Sequence, residues 1–455
     1  MKVHVIGGGL AGSEACWQVV RRGIPVILHE MRPKKLTPAH ETGNLAELVC
    51  SNSLKSMADD SAPGELKREM LSLDSLVVKA ALEAKVPAGQ ALAVNREIFS
   101  EAISRELNKS GLFTRVDEEV IAIPTEAELQ ARDEIWIIAT GPLTAESLAA
   151  GIQELAGGSK RLYFYDAIAP VIDADSINME KGFIADRWQK GEDGGDYLNL
   201  PLNEAEYYAF IDAVNTAEKM PLHDFEDVKY FEGCLPIEVM IERGRETLRF
   251  GPMKPVGLTD PRTGRWPYAN LQLRMENKEA SMFSMVGFQT KMKWPEQARV
   301  FKLIPGLETA EYHRFGSVHR NTYIKSPDTL NADLSFKSNP RVFLAGQITG
   351  VEGYTESAAI GLIAGRNAVA ALQEKRQTFD ERIGLSNPPP DTMLGALVNY
   401  VTVGPLGEYS PMNANFGLLP TVAKVRGKGK KDRQAEKVSK AWQSFSAWLS
   451  ANNIS

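Results

Sequence analysis

Three cysteines occur in 455 residues, and two of them stand where a thiol can do chemistry. Cys50 ends the apolar run Leu48-Val49 and is followed by Ser51-Asn52-Ser53, residues that break or cap a helix rather than continue a core. A thiol there can face a pocket. Cys234 follows Phe231-Glu232-Gly233 and precedes Leu235-Pro236. Pro236 suits the first turn of a helix through about Arg243, with Gly244 ending it. Cys234 would then sit just outside a helix N-terminus, where a thiolate is favoured. Arg243, Arg245, Arg249 and Lys254 follow closely and add positive charge. Nucleophilic addition and proton transfer are open to both thiols, and the alternative for each is a buried, inert side chain. Cys16, between Ala15 and Trp17 in a helical pattern, reads as packing.

The elements that must position these thiols begin at Met1. Lys2–Ile6 is a β-rich run, Gly7-Gly8-Gly9-Leu10-Ala11-Gly12 follows, and a helical pattern continues through Arg22 to Gly23. Residues 25–30 read as the next buried strand. Gly7, Gly9 and Gly12 occupy the G-x-G-x-x-G positions: one for the turn, one for approach of a pyrophosphate, one for helix–strand packing. The helix start offers N–H groups to that phosphate. Glu30, at the end of the second strand, can hold a ribose hydroxyl. This unit specifies a dinucleotide without separating NAD from FAD.

The far end of the chain separates them. Residues 341–346 form a buried strand ending in Gly346, and a long small-residue helix is expected over 354–374. With Ile137-Ile138-Ala139-Thr140-Gly141-Pro142, this resembles the FAD domain of the flavoprotein disulfide reductases. Gln347 stands where that family usually has Asp, so a neutral group replaces a carboxylate beside the cofactor. There is no second G-x-G-x-x-G unit, so any NAD(P)H would visit briefly. The expected fold class is α/β: a Rossmann-like FAD-binding domain with an inserted α+β domain. The expected division is 1–160 and 331–375 for the FAD-binding domain, 161–330 for an inserted substrate domain, and 376–455 for a C-terminal helical segment. Helices are expected over 64–83, over 96–108 with Asn95 as N-cap, and over 391–400 and 435–449.

Composition narrows the setting. Hydrophobic content of 43% and charged content of 24% fit a globular protein. No apolar run approaches the ~20 residues that span a bilayer, no secretory signal is recognisable, and the cysteines are too few and too scattered for a disulfide framework. A cytoplasmic protein without a metal or an obligate protein partner is expected. A net charge of −6 excludes a uniformly basic nucleic-acid binder, so RNA contact would rest on local patches. One such patch is Lys424, Arg426, Lys428, Lys430, Lys431 and Arg433, whose alternative is a solvated connector.

Longer stretches carry a closer likeness: Pro38-Ala39-His40, residues 47–56 around Cys50, residues 231–240 around Cys234, Phe250-Gly251-Pro252-Met253-Lys254-Pro255-Val256-Gly257-Leu258, His319-Arg320-Asn321-Thr322-Tyr323, and Pro411-Met412-Asn413-Ala414-Asn415-Phe416-Gly417. Over nearly its whole length the chain resembles the bacterial folate- and FAD-dependent tRNA (uracil-5-)-methyltransferases. It also shares Glu30-Met31-Arg32 and Ala345-Gly346-Gln347 with the FAD protein that helps modify the tRNA wobble uridine. The methyltransferase resemblance implies C5 methylation of the T-loop uridine, with methylenetetrahydrofolate giving the carbon and a reduced pyridine nucleotide giving electrons through FAD. It implies Cys234 as the nucleophile that adds to uracil C6 and Cys50 as the flavin-side thiol acting as base, an order that sequence leaves reversible. His313 or His319, with Arg320 and Asn321, would bound the folate pocket, and each histidine reads equally as a packing or surface residue. Arg243, Arg245, Arg249, Lys254 and the basic tail would hold the tRNA. Three other readings stand beside this one: a ribosomal-RNA uridine as target, an FAD oxidoreductase with a Cys50–Cys234 redox pair, and a noncatalytic RNA-binding partner.

Overall fold

Strand Lys2–Ile6 leads through the glycine turn into helix Leu10–Val20, and strand Val26–Glu30 returns parallel to the first. Gly7 has φ +102°, which costs glycine no Cβ clash. A Cβ on Gly12 would lie 1.8 Å from the Gly7 carbonyl oxygen, so only glycine lets the helix press against its own turn. Cys16 is fully buried in this helix, and burial pushes its thiol far up, as a packing role requires.

The computed structural model describes residues 1–158, 162–188, 195–220, 235–373, 387–423 and 429–454; the side chains of 162–166, His319 and Arg320 fall outside that description. The first unit belongs to a six-stranded sheet in the order Ser335–Phe336, Asn339–Leu344, Glu134–Ile138, Lys2–Ile6, Val26–Glu30, Phe113–Asp117. Its strands pair in parallel except at the Ser335–Phe336 edge. Helix Tyr354–Gln373 brings the late part of the chain back onto Leu10–Val20. Cβ atoms on Gly361 and Gly365 would stand 2.2 Å from Ala11 O and 2.7 Å from Ala15 O, so small residues let the two backbones meet. A second six-stranded sheet, antiparallel throughout, spans residues 171–314 and packs Tyr207, Phe210, Phe288 and Phe301 behind it. The ladder of Leu162–Ile168 with Ser317–Tyr323 joins the two bodies.

The single helix expected over 64–83 is two, Ala62–Ser72 and Leu76–Glu83. The break has a distant cause. The buried Glu14 carboxylate accepts Ser75 Oγ at 2.7 Å and the Val77 N–H at 2.9 Å, turning a fresh helix start onto the first helix. Asn95 caps Arg96–Lys109 by accepting the Glu97 and Ile98 N–H groups. The helix expected from 391 begins at Met393, where Thr392 caps it and Glu69 accepts the Met393 and Leu394 N–H groups at 2.9 and 2.7 Å. The terminal helix is longer than expected, Lys430–Ala451. Lys430, Lys431 and Arg433 therefore lie in its first turn, not in a connector, while Lys424, Arg426 and Lys428 lie outside the described residues. Pro236 stands at the N-cap of Ile237–Glu242 and not in its first turn. Among the described residues, no helix is long and apolar enough to cross a membrane.

Candidate functional site

One cavity of about 450 Å³ runs from the glycine turn to the antiparallel sheet. Gly7, Gly9, Leu10, Ala11 and Glu30 of the glycine-turn unit line it, with Gly346 beside Ala11; Cys50, Ser51, Arg274, Gln289 and Asn321 line it too, with Tyr354 beside Cys50, and so do Gln347 and Asn413. Gly8 and Gly12 are not in the wall. Gly8 donates its N–H to Glu30 Oε2 at 2.7 Å, and Gly12 packs on Gly7. Gly9 is the open position: a Cβ there meets nothing within 4 Å, and as N-cap it leaves the first-turn N–H groups without a side-chain cap. A helix start without a side-chain cap beside a void suits a phosphate, so this end fits a dinucleotide.

Glu30 has a fuller local task than a ribose contact. Its oxygens accept four N–H groups: Gly8 N, Arg32 N at 3.0 Å, and Arg32 Nε and Nη2 at 3.0 and 2.9 Å. A ribose hydroxyl reaches this carboxylate by displacing one of them. Burial alone would raise the Glu30 carboxyl, but Arg32 and the two backbone donors outweigh it and hold it below the ordinary glutamate range. A depressed carboxyl contributes stability above its unfolded pKa, near 4.3, that is lost as pH falls through the folded value. Glu30→Gln should therefore lose about 3–5 kcal/mol at pH 7, as expected for one half of a buried pair, and little at acid pH. Melting curves at both pH values check this; equal melting temperatures at pH 7 would refute it.

Gln347 also behaves differently from a simple neutral substitution. Its Nε2 donates to Glu352 Oε2 at 2.5 Å, and Glu352 lines the cavity, so a carboxylate is supplied five residues later. The buried Glu356 pairs with Lys55 Nζ at 2.8 Å and accepts the Ala414 N–H at 2.9 Å. That contact pins the 411–417 stretch against the cavity and explains why Asn413 reaches it.

The Cys50 loop is held at nearly every peptide. Cys50 and Ser51 donate their N–H groups to Tyr354 Oη at 2.6 and 3.1 Å. Arg96 donates to Leu48 O, Arg314 to Val49 O at 2.8 Å, and Arg274 Nε to Asn52 Oδ1 at 2.9 Å. Asn52, fully buried, donates to Val94 O and Met275 O at 3.1 and 3.0 Å. The Cys50 side chain is only partly covered, with Sγ 3.9 Å from Ala167 O. Three guanidinium groups thus surround the loop, and Glu276 pairs with one of them, Arg96, at 2.8 Å. Burial first, then repulsion from Arg96, lowers the Arg314 pKa, while burial and the neighbouring Cys50 raise that of Tyr354. Tyr354 is accordingly a neutral acceptor for the loop.

Cys234, assigned as the second thiol, lies outside the described residues, as do the side chains of His319 and Arg320, whose backbone lies in strand Ser317–Tyr323. Asn321 is buried and faces the cavity. His313 is outside the cavity wall and half-exposed, with Nε2 3.1 Å from Asp173 Oδ2. Arg243, Arg245, Arg249 and Lys254 are also outside the wall. Arg245 pairs with Asp212 at 2.7 Å, and Arg249 pairs with Glu246 and lies 3.6 Å over the Tyr268 ring. Sequence reasoning missed Lys55, Arg96, Arg274, Arg314, Tyr354 and Glu356. Of these, Lys55 lay within a stretch already singled out, and the others had no local signal.

A glycine-turn parallel sheet, a returning helix and a second antiparallel sheet around one cavity define a Rossmann-like FAD-binding fold of the flavoprotein disulfide-reductase type, with an inserted α+β domain. The family model for glucose inhibited division protein A matches residues 2–376. Two crystal forms of Aquifex aeolicus GidA share the fold, with TM-scores of 0.67 and 0.65 at 15% and 14% identity, covering 98% of this chain and 73% and 76% of theirs. Full-length likeness is to methylenetetrahydrofolate–tRNA-(uracil-5-)-methyltransferases TrmFO. That of Geobacter sulfurreducens is 51% identical over 448 residues, 98% of each chain. That of Heliobacterium modesticaldum is 50% identical over 454 residues, 100% of this chain and 99% of its own. That of Aquifex aeolicus is 51% identical over 453 residues, 100% and 97%. The chain belongs to the methylenetetrahydrofolate–tRNA-(uracil-5-)-methyltransferase family.

Proposed function

We propose that the protein methylates C5 of the T-loop uridine of tRNA, with methylenetetrahydrofolate as carbon donor, NAD(P)H as reductant and FAD as resident cofactor. The observation that carries this reading is the shared cavity: the Cys50 thiol opens into the same space as the dinucleotide turn. When bound, FAD supplies the electrons that convert a one-carbon methylene into a methyl group. The chain's own residues do the rest. Gly9 and the start of helix Leu10–Val20 receive phosphate. Gly346, Gln347, Glu352 and Tyr354 line the cavity, and the start of helix Tyr354–Gln373 adds positive potential there.

Uracil C5 is a poor nucleophile until a thiolate adds at C6, which makes C5 enolate-like. We assign that addition to Cys234. After C5 has attacked its electrophile, the C5 proton must leave, and we assign its removal to Cys50. The Arg96–Arg274–Arg314 group and Tyr354 fix the backbone from which Cys50 projects. Asn321 faces the same space and is assigned to folate, with His319 and Arg320 on its strand; His313 has its own partner in Asp173. The T-loop uridine must leave its stack to reach this cavity, at a cost of a few kcal/mol.

The test is methylation of an unmodified tRNA transcript, and in parallel of unmodified ribosomal RNA, with methylene-labelled methylenetetrahydrofolate, FAD and NADPH, followed by mapping of the labelled nucleotide. Label in the T-loop uridine is expected. Consumption of NADPH with unlabelled RNA would instead favour the oxidoreductase reading, and label confined to ribosomal RNA would move the target.

A further inference from the structure

Trp188 and Trp266 stand together on the surface of the antiparallel-sheet domain. They are 65% and 50% exposed and meet edge to face, with ring centres 5.9 Å apart. Scattered exposed apolar residues need no explanation, but two indoles fixed in contact with each other do. Trp188 has φ +63°, a strained conformation for a bulky side chain that persists only where its surroundings impose it. Those surroundings are visible. The Trp188 N–H donates to Gly257 O at 2.9 Å, and Arg187 Nη1 donates to Val256 O at 2.9 Å. A Cβ on Gly257 would lie 2.8 Å from the Trp188 ring, so glycine at 257 makes room for the indole. The fold thus holds one ring against a glycine and leaves much of it in water.

Among the described residues, cations stand near the pair. Lys254 and Arg265 are exposed, and Arg187 donates to two neutral groups, Val256 O and the Gln272 side chain. Of the described acids nearby, Asp260 is paired with Arg262 at 2.8 Å, while Asp186 and Asp196 accept backbone N–H groups from Asp196 and Gly89 at 2.9 and 2.6 Å. The chain connects the pair to the cavity wall. Gly287 is in the cavity wall, and a Cβ on it would lie 2.8 Å from the Pro252 ring. Residues 252–257 then run from that wall to Trp188.

We propose that Trp188 and Trp266 form a stacking platform for unpaired tRNA bases beside the target uridine, with Arg187, Lys254 and Arg265 serving adjacent phosphates. This rests on the tRNA reading above. A uridine leaving its stack exposes the faces of its neighbours, and indole rings replace that stacking without selecting sequence, since every base has a π-face. A second copy of this chain would also cover indoles, but the cations around them favour a polyanion.

The experiment compares the FAD-loaded wild type with W188A, W266A, the double alanine variant and the double phenylalanine variant. Affinity for an unmodified tRNA transcript is read by fluorescence anisotropy, together with labelling rate, flavin content, flavin reduction by NADPH and molecular mass in solution. The double alanine variant is expected to bind the transcript about tenfold or more weakly, with the phenylalanine pair restoring most of the loss. Flavin content, flavin reduction and mass should not change. Native transcript affinity in the double alanine variant overturns the platform, and so does an effect confined to molecular mass. A wild type that neither binds nor labels tRNA overturns the function itself, a result separate from failure of the platform alone.

Discussion

Cys50→Ser should slow methyl transfer to tRNA by about 10²- to 10⁴-fold, the usual worth of a positioned general base, while the protein stays yellow. The substitution exchanges sulfur for oxygen in nearly the same volume. It leaves untouched the bonds that set the loop, since Tyr354, Arg96 and Arg314 hold the backbone of residues 48–51 and Arg274 holds Asn52. Flavin content and melting temperature should therefore match wild type. The variant also separates the two thiol roles. If Cys234 adds to C6 and Cys50 removes the C5 proton, loss of Cys50 stalls the reaction after addition, and a protein–RNA adduct that survives denaturation should accumulate. Cys234→Ser should form no adduct. Adduct with Cys234→Ser and none with Cys50→Ser would reverse the assignment, and full turnover by Cys50→Ser would remove that thiol from the chemistry.

That experiment depends on a loop whose surroundings were largely invisible in the sequence. The turn from Gly7 to Glu30 was legible because strand, glycines, helix and acid are consecutive and each follows a local rule. Asn95 was legible for the same reason, as a cap immediately before its helix. The Cys50 setting is non-local: its N–H partner Tyr354 is 304 positions away, and Arg274 and Arg314 come from strands of the other sheet. No spacing rule links these positions, because only the docking of the two sheets brings them together. Helix 64–83 fails as a single element for a similar reason. Local propensity favours continuity, yet a carboxylate 61 positions upstream accepts the hydroxyl of Ser75, which caps the second helix. Gln347 was read as the loss of a carboxylate because Glu352 follows a further turn, Gln347–Thr349, that folds it back.

Gly9→Asp should expel the cofactor without harming the fold, while Gly12→Ala should harm both. The two glycines belong to one motif but face opposite constraints. Gly9 has φ −74° and ψ −168°, which any residue can adopt, and its missing Cβ points where no protein atom lies within 4 Å. Aspartate is among the best N-cap residues and sits well at a helix N-terminus, so the apo protein should melt at or above the wild-type temperature. The same carboxylate would stand where a dinucleotide phosphate must approach. Two like charges about 4 Å apart at an effective dielectric near 20 repel by roughly 4 kcal/mol, close to a thousandfold in affinity. Gly12 has no such freedom: its Cβ would fall 1.8 Å from Gly7 O, which is backbone and cannot rotate away. Overpacking of that kind costs about 1–3 kcal/mol or more and moves the turn itself. Titrating each apo variant with FAD, with melting curves beside the titrations, separates the cases. A Gly9→Asp protein that binds FAD as tightly as wild type would mean that the phosphates lie elsewhere, and the cofactor end of the cavity would have to be assigned again.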